Sequence, residues 1–203
     1  MTAYNQFNLL EDGNKDITGY INTMKIIIVK YCHGVCSDDC MATLSYSGFK
    51  EADELIGKLN NYKFDEIYCS PYLKTLQTIF PYCHALGKDN LVNLEYSLLP
   101  KNKIDIDDKA TMFVNFYTDI KEYFNYITPI LNTKYETSVY PTNVKIKETT
   151  VDIENRLHPF LYNLRNKHHK ANKTILIVTH DDIAQLISTY LKDTDIVYVK
   201  HIE

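Results

Sequence analysis

With 203 residues, 45% of them hydrophobic and 24% charged, the chain is long enough for one domain with a full hydrophobic core and falls in the soluble globular range. A formal net charge of -4 gives no general attraction to nucleic acid or anionic membrane, so a phosphate site would have to gather its positive potential locally. Its longest apolar runs, Ile26–Val29 and Ile175–Val178, fall far short of the ~18 residues of a membrane-spanning helix.

Residues 1–23 form a polar extension without the basic start and apolar middle of a signal peptide. The domain is expected over 24–203. It opens with Lys25-Ile-Ile-Ile-Val-Lys30-Tyr31, short, β-branched and apolar, the pattern of a buried strand. After a loop over 32–43, Ser45 is the predicted N-cap of a helix that buries Phe49, Ala52, Leu55, Ile56 and Leu59. Phe64 to Cys69 reads as a second strand, and Ser70-Pro71 as the start of a helix with Pro in its first turn. Leu91 to Leu94 is a third strand. Helices are expected over 110–127 and 149–169, a fourth strand over 174–179, a helix over 182–191 and a last strand over 195–199. The segment 100–148 reads as an insertion with little pattern.

Strands alternating with helices predict an α/β fold, a three-layer sandwich whose mainly parallel sheet carries helices on both faces. Ligands in such sheets bind at the carboxyl ends of the strands. His33-Gly34, Ser70-Pro71 and Thr179-His180 all fall there.

Four stretches carry a family pattern. They are Ile28-Val-Lys-Tyr-Cys-His33-Gly34, Leu44-Ser-x-x-Gly48-x-x-x-Ala52, Ser70-Pro71-x-Leu73-Lys74-Thr75-x-x-Thr78 and Ile175-Leu-Ile-Val-Thr-His180. Glu148-Thr149 followed by Arg156 makes a fifth. In order and character they resemble the histidine-phosphatase superfamily, whose fold is phosphoglycerate-mutase-like, and the resemblance covers roughly residues 25–191. It implies phosphomonoester hydrolysis through a phosphohistidine. One histidine attacks phosphorus, the other and two arginines hold the non-bridging oxygens, and an acid protonates the leaving group. Fixed donors of that kind typically contribute ~3 kcal/mol each to the barrier. Carried onto this sequence, His33 is the nucleophile, His180 the second histidine and Glu95 the proton donor. Lys30, Cys32 and Lys74 fall at the phosphate-binding positions.

The departures lie in that pocket. Cys32 precedes His33 where the family has arginine, which removes a charge and a two-pronged contact. Lys74 stands in for the second arginine, and Asp181-Asp182 follow His180, acids that would repel phosphate unless they bind a cation or point away. Two registers are open at the first motif. In one, Lys30-Tyr31 takes the Arg-His place and the nucleophile is lost; in the other, adopted here, the strand runs two residues longer and keeps His33-Gly34.

Cys32, Cys36 and Cys40 with His33 lack the paired spacing of a zinc site, and no metal or other cofactor is expected. Arg156 reads as a salt-bridge partner rather than a ligand. Five cysteines without a framework spacing read as reduced thiols, which predicts a cytoplasmic protein. The expected partner is a phosphorylated small molecule or phosphoprotein, with no nucleic acid and no membrane. The expected function is a weak, specialised phosphatase; the alternative is an inactive relative that keeps the fold for binding.

Overall fold

The computed structural model describes residues 24–36, 39–89, 91–101, 116–145, 147–168, 171–192 and 197–202. The polar extension 1–23 and residues 102–115 of the expected insertion lie outside them. In chain order the elements are β1 (Met24–Lys30), α1 (Tyr46–Leu59), β2 (Glu66–Cys69), α2 (Leu73–Ala85), β3 (Val92–Leu94), α3 (Phe116–Tyr123), α4 (Thr150–His168), β4 (Thr174–Thr179), α5 (Asp181–Lys192) and β5 (Val197–Ile202). Short 3-10 turns fall at Tyr96–Leu98, Thr128–Ile130 and Pro141–Asn143. The strands join one five-stranded sheet in the order β3-β2-β4-β1-β5, and every pairing is parallel.

Period-two alternation splits the central strands between two cores. Ile27, Val29, Leu176 and Val178 face one side, where they join Leu55 and Leu59 of α1 and Leu73 and Leu76 of α2. Ile26, Ile28, Ile175 and Ile177 face the other, with Ile153, Leu157 and Leu161 of α4 and Ile183 and Ile187 of α5. The three-layer α/β arrangement expected from the sequence is therefore present, with β1, β4 and β2 side by side.

Three local expectations are corrected. β1 ends at Lys30 instead of running on through Cys32; beyond it, Gly34 makes an isolated antiparallel bridge with Leu44 outside the sheet. α2 begins at Leu73, leaving Pro71 outside, because the Ser70 carbonyl accepts bonds from Tyr72 N (2.8 Å) and Thr75 Oγ1 (2.6 Å) and makes a turn first. On α1, Ser45 does cap the helix, its hydroxyl accepting from Gly48 N at 3.1 Å, but Phe49 is 41% exposed. Gly48 is the buried residue of that turn: a Cβ there would lie 1.9 Å from the His33 carbonyl oxygen. The first turn of α1 thus packs on the backbone after β1, which rotates Phe49 away from the sheet.

Candidate functional site

Parallel pairing of β1 with β4 decides which residue faces His180. Lys30 pairs with Thr179, the last residues of the two strands, and Tyr31 N donates to the Thr179 carbonyl at 3.1 Å. Tyr31 and His180 therefore leave the sheet together. His33 lies two residues further along the chain, beyond the end of β1. The ring that meets His180 from the end of β1 is accordingly Tyr31, with centroids 5.2 Å apart and planes at 61°. His33 is exposed, and its Nδ1 lies 2.7 Å from the Ser45 hydroxyl at the start of α1. The ring contacts of His180 are thus with Tyr31 and Tyr72, and the side-chain contacts of His33 are with Ser45 and Ser47.

His180 is 5% exposed. Tyr72 meets its ring edge-on at 4.7 Å, and the buried Ser70 hydroxyl lies 3.1 Å from Nε2. Burial, with smaller contributions from the Lys74 and Arg156 charges, pushes its pKa down to about 3. The imidazole is thus neutral across the physiological range.

Lys74, the second residue of α2, is buried, and its ammonium lies over the Tyr31 ring at 4.9 Å from the centroid. Gly34 leaves room for its stem: a Cβ there would come within 2.5 Å of Lys74 Cδ. Lys30 pairs with Asp181 at 3.3 Å. Asp182 accepts from Ile183 N at 3.0 Å and from Lys101 N at 2.9 Å. Both acids are thus engaged by donors of this chain, Asp181 by Lys30 and Gln185 and Asp182 by the two backbone amides. Cys32 is half-buried; its amide donates to Thr78 Oγ1 at 3.0 Å, and burial raises its thiol pKa, so it brings no charge to the site.

Glu95 is fully buried below the end of β3 and spends both carboxyl oxygens on donors. Oε1 accepts from Ser97 N (3.0 Å), Ser97 Oγ (2.6 Å) and Thr137 Oγ1 (2.9 Å); Oε2 accepts from Tyr135 Oη and from Ser138 N (3.0 Å). Five donors to one carboxyl make it the anchor of segment 135–138. A leaving-group donor would need an oxygen turned to the pocket.

Arg156 behaves as the sequence suggested. It is buried, bonded to Glu148 through Nε (2.6 Å) and Nη2 (3.0 Å), and it donates to the carbonyls of Ser97 and Leu99. The Glu-Thr and Arg marker is thus a structural clamp on the chain after β3. Among the described residues, no group of three or more His, Cys, Asp or Glu side chains is arranged to hold a metal ion, and no helix is long and apolar enough to cross a membrane.

The structure therefore brings together Tyr31, Ser70, Tyr72, Lys74 and His180, with Lys30 at the rim. Sequence reasoning missed Tyr72 altogether, because an edge-on ring contact leaves no spacing signal. It also missed the Lys30–Asp181 pair, which the β1–β4 register alone would have revealed.

No family model matches the sequence, and no curated protein matches it. Solved structures do match. The ecdysone phosphate phosphatase of Bombix mori, crystallised with tungstate, superposes with a TM-score of 0.57 at 14% identity, over 83% of this chain and 79% of its own. A phosphoglycerate mutase from Bacillus anthracis gives 0.54 at 12% identity, over 85% and 82%. A putative α-ribazole-5'-P phosphatase from Escherichia coli gives 0.52 at 17% identity, over 82% and 79%. The fold predicted from five weak motifs is thereby found in three dimensions: the chain has the phosphoglycerate-mutase-like fold shared by these phosphatases and the mutase.

Proposed function

We propose that this chain is a divergent member of the histidine-phosphatase superfamily that has lost phosphohistidine chemistry and works as a binding module at the carboxyl ends of β1, β2 and β4. The observation that carries this reading is the Tyr31–His180 contact, 5.2 Å between centroids. A phenol stands where the first imidazole is needed, and a phenol is a far weaker nucleophile than a neutral imidazole at pH 7. Three further features support it. His180 Nε2 faces the Ser70 hydroxyl, at 3.1 Å. Glu95 is fully engaged as an acceptor of five donors. Arg156 acts on His180 through its charge alone and commits its guanidinium to Glu148 and to the carbonyls of Ser97 and Leu99, which leaves Lys74 without a forked arginine contact beside it to meet transition-state charge.

The ligand class we assign is a phosphorylated small molecule or phosphoprotein segment, bound without turnover. Support comes from Lys74 and Lys30 at the strand ends and from the phosphate esters named for the structurally similar phosphatases. Lys74 would supply the main positive charge, since it is buried at the strand ends whereas Lys30 lies at the exposed rim beside Asp181.

The test is steady-state hydrolysis of an aryl phosphate by wild type, His33→Ala, His180→Ala and Cys32→Arg, with and without chelator. The expected result is no release above buffer in any of the four. Measurable wild-type release that is lost in both alanine variants would restore the phosphatase reading.

A further inference from the structure

Ser70, Tyr72 and Tyr31 all touch the His180 imidazole, Ser70 at 3.1 Å and the two rings at 4.7 Å and 5.2 Å between centroids. Ser70 and Tyr72 are buried, and the imidazole is itself only 5% exposed. Tyr31 is the partly exposed member of the three. Its amide donates to the Thr179 carbonyl of β4 at 3.1 Å, so the side chain can turn while the backbone stays paired. Lys74 lies across that ring, on a stem that passes over Gly34.

From this arrangement we propose that Tyr31 is a gate: its ring closes the site over His180, Lys74 holds it shut, and a ligand reaches the imidazole only when the Tyr31 side chain swings out. The inference concerns access to His180 and holds whether or not the site turns over a phosphate ester. A rotation about one partly exposed side chain costs far less than opening the sheet, so the closed state can be left without unfolding. Removing the cation from the ring face forfeits a contact that strengthens as it is withdrawn from water, which should raise the open population measurably.

Diethylpyrocarbonate, which acylates neutral imidazoles, reads this directly when modification is followed residue by residue by mass spectrometry at neutral pH. Two histidines serve as internal references. His33 is exposed, and His168 is 5% exposed and lies against Glu66, remote in the chain from Tyr31. In wild type, His33 should react readily while His180 and His168 stay protected. Tyr31→Ala should raise the His180 rate by about tenfold or more with His168 still protected, and Tyr31→Phe, which keeps the ring, should leave His180 shielded. An unchanged His180 rate in Tyr31→Ala, or a wild-type His180 as reactive as His33, overturns the gate. Should Tyr31→Ala unfold, seen as His168 turning reactive, the decision passes to Lys74→Met. That variant keeps every ring and removes only the cation. There His180 must again gain reactivity while His168 stays protected, and a wild-type rate refutes the proposal.

Discussion

Lowering the pH from 7 to 5 is expected to weaken the fold through one residue, His180. Burial, aided by the Lys74 and Arg156 charges, pushes its pKa down to about 3 from an ordinary value of 6.5. The sign follows from linkage. In the unfolded chain the imidazole takes a proton as pH falls through about 6.5, whereas in the folded protein it resists until about 3. Stability is therefore fully present above 6.5 and is lost as pH falls toward 3. A tenfold difference in proton affinity between the two states corresponds to about 1.4 kcal/mol, so the limiting loss is about 5 kcal/mol and the part falling between pH 7 and 5 is about 2 kcal/mol. That is a large share of the 5–15 kcal/mol typical of a domain. Asp65 and Asp152 do not intrude on this window: held below the usual carboxylate range by Lys173 and Lys145, they lose their stabilisation only at more acidic pH. Urea denaturation at pH 7, 6 and 5 measures the effect. The control is His180→Gln, which keeps a polar group near Ser70 and cannot titrate. Wild type should lose about 2 kcal/mol more than the variant over this range. Parallel pH curves for the two proteins would refute the buried, neutral imidazole.

Further predictions concern residues in and around the site. Glu95→Leu would leave four donors from Ser97, Tyr135 and Ser138 without their acceptor, while the Thr137 hydroxyl keeps the Val139 carbonyl. At about 1–3 kcal/mol for each buried orphan, the loss in a urea titration should exceed about 3 kcal/mol, with Glu95→Gln intermediate; an unchanged midpoint would show that the carboxyl is no anchor. Gly48→Ala should destabilise by about 2 kcal/mol, since its Cβ would meet the His33 carbonyl oxygen at 1.9 Å. Gly57→Ala on the same helix meets nothing within 4 Å and should stabilise by about 0.5–1 kcal/mol; thermal melts of the two variants should move in opposite directions. Binding of an aryl phosphate, followed by calorimetry, should weaken about tenfold or more in Lys74→Ala and change less in Lys30→Ala, whose charge Asp181 already offsets. Equal losses in the two variants would count against Lys74 as the main anion contact.

The fold was readable because its signals are local and repeated. Ile26–Val29 and Ile175–Val178 are strands buried on both faces, and Ser45 is a cap followed by a helix of the expected period. The site was less readable because it depends on register. A shift of two residues at the end of β1 keeps the same side-chain alternation, so hydrophobic pattern could not separate Tyr31 from His33; only the pairing of Lys30 with Thr179 does. Lys74 and His180 could be placed from motifs that stand at element ends. Glu95 could be placed at the end of β3, but not its surroundings, since its partners at 135–138 come from the segment with the weakest pattern. Phe49 was assigned to the buried face by period alone. Contact between Gly48 and the His33 backbone, a long-range feature, turned it outward.

The most direct test of the central claim, that Tyr31 and not His33 stands opposite His180, is to trap the phosphoenzyme. The protein is mixed with a labelled aryl phosphate, quenched within milliseconds to minutes, digested under alkaline conditions that preserve phosphohistidine, and mapped by mass spectrometry. The account predicts no phosphate on the peptide that carries His33 at any time point. Label on His33, appearing at the rate of aryl phosphate cleavage and abolished by His180→Ala, would contradict it.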